Sequence, residues 1–247
     1  TVQPKSLDPI RSTLTRMGLQ NDQTAKSILS DSAATFTKLN QLALYMLTEL
    51  NPNMFTNLPE LTYLSLLSVP NLFDNPLTGY FTKNPKLVSI SLTENEIIKM
   101  SNVLGLLDNV KRQITYLDLS YNEIEEIPEE INSFSKLATM YLTMNSIRSI
   151  TNTTFRGLTE LNILRLNQNQ IRSPIDVFKY NKKLEYVDLS NNFFSEIHDF
   201  SSTRVNWLSY DNQNANLVEL KDYEFDYTRS DSTKSLDLVF TSNDITK

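Results

Sequence analysis

A nine-residue pattern, L-x-x-L-x-L-x-x-N, recurs along the chain and limits its fold more than any other feature. It is clearest in LEYVDLSNN, residues 184–192, and in ITYLDLSYN, residues 114–122. The fourth and sixth positions are apolar in all ten copies, although only 40% of the chain is hydrophobic. The copies begin at Leu14, Leu39, Leu61, Leu87, Ile114, Leu137, Leu161, Leu184, Val205 and Ser235. Apolar positions that return every 21 to 30 residues predict stacked coils, each burying its apolar side against its neighbours.

The ninth position of the pattern carries a side-chain amide in most copies. Asp22 and Gln213 are polar substitutes, whereas Leu47 and Val69 break the pattern. The asparagines at this position are Asn95, Asn122, Asn145, Asn169, Asn192 and Asn243. An amide both donates and accepts hydrogen bonds, so it can satisfy backbone groups where the chain leaves a strand and turns inward. The pattern therefore predicts a row of buried amides that runs from coil to coil.

A phenylalanine precedes many of the copies in the form F-x-x-[LN]-x-x-L, at Phe55, Phe81, Phe155 and Phe178. With this residue and a period near 24, the chain resembles leucine-rich repeat proteins of the "typical" subtype found in animal cell-surface and secreted receptors. The stretch DVFKYNKKLEYVDLSNN, residues 176–192, is most similar to a Toll-like receptor ectodomain. The resemblance implies an α/β solenoid, a curved leucine-rich repeat horseshoe of about ten repeats. Its parallel β-sheet would lie on the concave face, with irregular or short helical segments on the convex face.

The pattern predicts a single leucine-rich repeat domain over residues 1–247. Residues 1–13 form a lead-in, and strands begin at about residues 14, 39, 61, 87, 114, 137, 161, 184, 205 and 235. The wider interval between Val205 and Ser235 predicts an irregular loop over 215–233. The cysteine-rich caps that usually close extracellular members are missing, so we expect this chain to be an interior piece of a longer protein.

Composition and charge exclude several classes of function. A net charge of -6 argues against nucleic acid as a partner, because a phosphate-binding surface must be basic. No apolar run approaches the roughly 18 residues of a membrane span. With no cysteine and one histidine, the chain offers no thiolate ligand and no nucleophile–base pair, so we expect no metal, no cofactor and no catalytic residue.

The variable positions of the strands are the candidate functional surface. Alternation along a strand places the third, fifth and seventh positions on the open, concave side. Large aromatic and charged residues gather there, and residues of these types dominate protein interfaces. The predicted binding residues are Tyr63, Tyr116, Asp118, Tyr141, Arg165, Tyr186, Asp188 and Trp207. The alternative interpretation is that the aromatics simply stack along the strands, because tyrosine favours β-structure. Neighbouring copies also predict a surface ion pair between Arg165 and Asp188.

These features favour a non-enzymatic module that binds a protein ligand or co-receptor. The resemblance implies an extracellular or cell-surface receptor of innate immunity or adhesion. An intracellular regulatory or effector repeat protein, located in the cytoplasm, is the alternative that the missing cysteines favour. An enzyme built on a parallel β-helix is disfavoured, since no cluster of Asp, Lys and Arg recurs.

Asn152, in Asn-Thr-Thr, is the one predicted glycosylation site. Two other surfaces are alternatives to binding at the concave face. One is a lateral or convex face through which the chain could dimerise, and the other is a pocket near residues 215–233.

Overall fold

Each copy of the pattern forms one short strand in the computed structural model, which describes residues 11–29, 36–69, 77–172, 177–195, 199–211, 213 and 237–239. The predicted loop 215–233, Asn243 and the first ten residues of the predicted lead-in lie outside these ranges. The chain divides into two compact units, Thr1–Asn122 and Glu123–Lys247. A single domain over residues 1–247 remains a prediction.

The described residues of the first unit form five parallel strands in chain order and two α-helices. The elements are β1 (Arg16–Gln20), α1 (Asp22–Leu29), β2 (Gln41–Tyr45), β3 (Tyr63–Leu67), β4 (Ser89–Ser91), α2 (Met100–Leu106) and β5 (Tyr116–Asp118), with a 3₁₀ helix at Pro52–Phe55. The third position of each copy pairs with the third position of the next. The register runs through Arg16, Gln41, Tyr63, Ser89 and Tyr116.

The second unit repeats this arrangement with five more parallel strands. They are β6 (Thr139–Tyr141), β7 (Ile163–Arg165), β8 (Tyr186–Asp188), β9 (Trp207–Ser209) and β10 (Asp237–Val239), and a 3₁₀ helix at Glu129–Ser133 precedes them. Their register runs through Thr139, Ile163, Tyr186, Trp207 and Asp237. Parallel strands on one side of each coil and short helical or irregular segments on the other confirm the predicted α/β solenoid.

The strands are held on a core built from the repeated apolar positions. In the first nine copies the fourth and sixth positions are buried, as at Leu42, Leu44, Leu164 and Leu166. Met17, near the start of the described residues, is the exception and is half-buried. The predicted phenylalanine station is also buried, and its rings contact one another from coil to coil. Phe55 and Phe81 have ring centroids 4.8 Å apart, and Phe155 and Phe178 lie 6.0 Å apart.

The predicted amide row is confirmed. Asn169 donates from Nδ2 to the carbonyl oxygens of Leu142 (2.8 Å) and Leu166 (3.0 Å), and its Oδ1 accepts from the Ile147 N–H (3.0 Å). Asn169 thereby joins the sixth position of its own coil to the sixth and eleventh positions of the coil before it. Asn192 makes the corresponding bonds to Leu166, Leu189 and Ile171, and Gln213 makes them to Leu189, Tyr210 and Phe194. The longer glutamine is therefore an effective substitute.

The residue just before the amide position has a left-handed backbone in every copy from the first to the eighth. These residues are Asn21, Met46, Ser68, Glu94, Tyr121, Met144, Gln168 and Asn191, with φ between 52° and 66°. A left-handed residue other than glycine costs roughly 1–2 kcal/mol. Burial of the ninth side chain offsets this cost, because the left-handed residue turns the chain inward at the end of the strand.

Candidate protein-binding face

The predicted binding residues all lie on the same side of their own unit's strands. They occupy third and fifth positions, which are half-buried, between fourth-position residues that are fully buried. Tyr63, Tyr116 and Asp118 belong to the first unit. Tyr141, Arg165, Tyr186, Asp188 and Trp207 belong to the second unit. The strand period of two explains this placement, since core-facing and open-facing residues alternate.

Four residues of the second unit form one continuous stack across β6 to β9, which we call the aromatic–arginine row: Tyr141, Arg165, Tyr186 and Trp207. The Arg165 guanidinium carbon lies 4.8 Å from the Tyr141 ring centroid and 5.3 Å from that of Tyr186. The rings of Tyr186 and Trp207 are parallel, with centroids 4.0 Å apart. A cation over an aromatic ring is attracted by the negative face of the ring. The row therefore holds a positive charge between two tyrosines in a fixed place.

The predicted ion pair between Arg165 and Asp188 is wrong for these described residues. Although the two residues face each other in the register of β7 and β8, the guanidinium lies between the tyrosine rings. The Asp188 carboxylate instead accepts two hydrogen bonds from Ser190, from N–H at 3.1 Å and from Oγ at 2.7 Å. These local bonds hold the carboxylate close to its own backbone. The Nε of Arg165 is buried and has no acceptor among the described residues.

The environment of Tyr186 keeps its hydroxyl protonated. Burial raises the pKa of Tyr186 most, while the charge of Arg165 lowers it and the charge of Asp188 raises it. A hydrogen bond from Arg165 lowers the same pKa. The net shift is upward, so at neutral pH the tyrosine is an uncharged group that can donate a hydrogen bond.

The first unit brings fewer of its predicted residues together. The Tyr116 hydroxyl donates to Oδ2 of Asp118 at 3.3 Å, and Oδ1 of Asp118 accepts from the N–H of Ser120 at 3.0 Å. Tyr63 stands apart from this pair, because Ser89 lies between it and Tyr116 in the register.

One aromatic residue on this side was missed in the sequence. Tyr45, at the seventh position of its copy, has 37% of its surface exposed. It lies beside Gly18, where an added Cβ would be 3.6 Å from Tyr45 Cε2. The alternation that places third and fifth positions on the open side applies equally to the seventh, and this was the available signal.

Asn152 is exposed in a turn on the side of its coil opposite the strands. Thr154, the third residue of the sequon, is buried, and its Oγ1 accepts from the Thr151 N–H at 2.8 Å. The asparagine side chain is accessible to a modifying enzyme, but modification of this site remains a prediction.

The described residues also bear on two other kinds of site. In these ranges no helix combines the length and apolar character that a membrane crossing requires. Nor do three His, Cys, Asp or Glu side chains come together there in a group that could hold a metal ion.

Comparison with known proteins identifies the class to which this architecture belongs. Family models described as leucine rich repeats match residues 112–171, 135–192 and 183–203. Fibromodulin of Sus scrofa is 32% identical over 133 residues, which are 52% of this chain and 80% of that sequence. The chain belongs to the leucine-rich repeat family.

Its relatives include larger proteins of which it spans only a part. Toll-like receptor 13 of Mus musculus is 35% identical over 81 residues, which are 32% of this chain and 8% of the receptor. Among solved structures, a chain of the Toll–Spatzle complex of Drosophila superposes with a TM-score of 0.74 at 21% identity. The superposition covers 99% of this chain and 34% of the Drosophila chain, and at this identity it establishes the fold alone.

Proposed function

We propose that the protein is a non-enzymatic binding module whose second unit recognises a protein partner through the aromatic–arginine row. The observation that carries the proposal is the stack itself: a half-buried arginine held between two tyrosines and extended by a tryptophan. Tyrosine, tryptophan and arginine are the residues most enriched at the energetic centres of protein interfaces. Because packing already fixes their rotamers, these side chains would lose little freedom when a partner binds.

The alternative interpretation, that the aromatics only support the strands, accounts for part of the row. The parallel contact of Tyr186 with Trp207 is the kind of cross-strand pair that stabilises a sheet. It does not account for Arg165, because an apolar residue at that position would stack without the cost of partly desolvating a charge. The charged centre of the row is therefore what favours binding over a purely structural role.

We also propose an extracellular or cell-surface location, in a receptor or matrix context. The support is similarity to fibromodulin and Toll-like receptor 13, which are extracellular or cell-surface proteins. A role in innate immunity or adhesion is the finer form of this proposal. Intracellular binding by the same row is the second candidate, favoured by the absence of cysteine from the sequence.

The proposal is tested by replacing Tyr186 and Trp207 together with alanine. Peptides would be selected on the unaltered protein from a phage-displayed random library and then measured against the variant. We expect the selected peptides to bind the double variant about 10-fold or more weakly, because aromatic centres carry most of the affinity of an interface.

The matched control is Tyr180→Ala. Tyr180 is an exposed aromatic residue of the same unit and lies away from the strands. Its ring centroid is 5.7 Å from the guanidinium carbon of Arg156. The selected peptides should bind this variant normally. If they bind the Tyr186→Ala/Trp207→Ala protein as tightly as the original, and thermal unfolding shows that it is folded, then the row is not the binding face.

A further inference from the structure

We infer that the aromatic–arginine row recognises a side-chain carboxylate, an aspartate or glutamate of the partner protein, which pairs with the guanidinium of Arg165. The inference rests on the proposed function, because it names the partner chemistry of the same face. The surroundings of Arg165 support this inference.

The guanidinium of Arg165 lies close to two aromatic rings. Its carbon is 4.8 Å from the ring centroid of Tyr141 and 5.3 Å from that of Tyr186, so the rings limit the directions from which a new polar contact can reach it. The N–H groups of arginine lie in one plane and form a fork that fits the two oxygens of a carboxylate. Its buried Nε has no acceptor among the described residues, so the fork retains donor capacity for such a ligand.

The positive charge of Arg165 has no counter-ion among the described residues. Its register neighbour Asp188 is held by Ser190, and the Tyr186 hydroxyl is neutral. By contrast, Arg148 of the same unit pairs with Glu125 at 3.3 Å. A half-buried cation without a carboxylate has lost part of its hydration and has not been compensated, which favours an anionic partner.

The groups around Arg165 also favour an acceptor. Tyr186 is protonated at neutral pH and can donate, and the indole N–H of Trp207 can only donate. The rings of Tyr186 and Trp207 are parallel at 4.0 Å, so their facing surfaces are covered by each other and a partner meets their edges. Hydrogen-bond donors placed around a fixed cation fit a carboxylate better than they fit an apolar surface or the flat face of a sugar.

A cationic partner is the opposing possibility, because Asp188 faces Arg165 in the register of β7 and β8 and the whole chain carries a charge of -6. The carboxylate of Asp188 already accepts two hydrogen bonds from Ser190. Arg165 lies within the row, so we take the carboxylate as the ligand. The experiment decides between the two.

The test uses capped tetraglutamate, tetraglutamine and tetralysine peptides labelled with a fluorophore. Binding to the whole chain is measured by anisotropy at constant ionic strength, up to about 1 mM protein. Trp207 is the only tryptophan of the chain, so its fluorescence reports in parallel whether the peptide binds at the row. We expect saturable binding of tetraglutamate alone, accompanied by a change in Trp207 fluorescence.

Variants of Arg165 define the contact. Arg165→Gln should weaken tetraglutamate binding about 10-fold to 100-fold, as expected for loss of hydrogen bonds to a charged group. Arg165→Lys keeps the charge and loses the planar fork, so it should also bind more weakly than the original. The matched control is Arg172→Gln, because the Arg172 guanidinium lies 4.6 Å from the Phe193 ring, outside the row.

Three results would overturn the inference: no saturable binding of tetraglutamate, preference for tetralysine, or equal affinity of the Arg165→Gln and Arg172→Gln proteins. None of these depends on the outcome of the peptide selection above. If selected peptides require Tyr186 and Trp207 while tetraglutamate does not bind, the carboxylate assignment fails and the binding face stands. Circular dichroism of each variant confirms that it is folded.

Discussion

Gly157 lies at a place where two coils of the second unit approach closely. Its N–H donates to Oδ1 of Asn132 at 2.5 Å, and a Cβ at this position would lie 2.6 Å from Asn132 Cβ and 2.9 Å from Asn132 Cα. These distances are shorter than real carbon contacts, and part of the obstruction is backbone. Glycine is therefore required here by packing against the neighbouring coil.

Gly157→Ala is expected to lower the free energy of unfolding by about 1–3 kcal/mol, because the backbone must shift to admit the methyl group. Urea unfolding followed by circular dichroism measures the change. Gly18→Ala is the comparison, since its Cβ would make an ordinary contact of 3.6 Å with Tyr45. Alanine within a strand should be neutral or stabilising by about 0.5–1 kcal/mol. Equal losses at the two positions would contradict the packing argument.

At the scale of single residues, the sequence predicts which side chains share a face but not how they contact one another. The period of a strand is sufficient to place Tyr141, Arg165, Tyr186 and Trp207 together. The position of the guanidinium between two rings depends on rotamers, which the pattern does not encode. The ion pair predicted for Asp188 fails because a serine two residues further on captures the carboxylate locally. The Asp-Leu-Ser motif of residues 188–190 was the signal for this capture.

At the scale of a coil, the amide row is the main polar link between neighbours. Every amide described in the second unit bonds to backbone groups, and Asn169 is buried with only 5% of its surface exposed. It bonds to three backbone groups on two coils. The carbonyl oxygens of Leu142 and Leu166 also accept from Asn145 (3.2 Å) and Asn192 (2.9 Å), but the buried N–H of Ile147 loses its acceptor when the amide is removed.

Asn169→Ala is therefore expected to lower the free energy of unfolding by about 1–3 kcal/mol, the cost of leaving the buried Ile147 N–H unpaired. Chemical denaturation monitored by Trp207 fluorescence reports the loss within the same unit. Gln170→Ala, at the exposed adjacent position, should change stability by no more than about 0.5 kcal/mol. A loss at Asn169 as small as that at Gln170 would mean that the amide bonds add nothing to stability.

For a single coil, the repeat pattern predicts some features well and misses others. Strand positions and the amide row follow from the spacing, because each coil must match its neighbour. Phe200 was missed, although its ring stacks 5.1 Å from that of Phe178. In FSSTRV, residues 200–205, the phenylalanine stands one position closer to the next copy than elsewhere, so the fixed spacing F-x-x-[LN]-x-x-L does not find it. Packing tolerates this shift because the outer side of a coil has no strand register to preserve.

For the whole molecule, the sequon at Asn152 distinguishes the two proposed locations. A protein that passes through the secretory pathway meets the glycosylation machinery, whereas a cytoplasmic protein does not. Asn152 lies on the outer turn of its coil, so a glycan there would leave the strand side of its unit uncovered.

If the protein is extracellular, we expect the tryptic peptide SITNTTFR, residues 149–156, to carry a glycan in protein isolated from its natural cells. Enzymatic removal of N-glycans should convert Asn152 to aspartate, which mass spectrometry detects as a mass change. Asn132 lacks a sequon and should remain unchanged. Full recovery of the unmodified peptide without enzyme would favour the cytoplasmic alternative.

The left-handed residue before the ninth position, present in the first eight copies, has a practical consequence for redesign. It turns the chain inward at the same position of each of these copies, so a change in the length of a coil is absorbed on the outer side and leaves the strand register intact. The third, fifth and seventh positions of one unit thus form a regular grid on which side chains can be exchanged in combination. A combinatorial library restricted to the third and fifth positions of β6 to β9 would vary specificity while the amide row and the apolar core stay as they are.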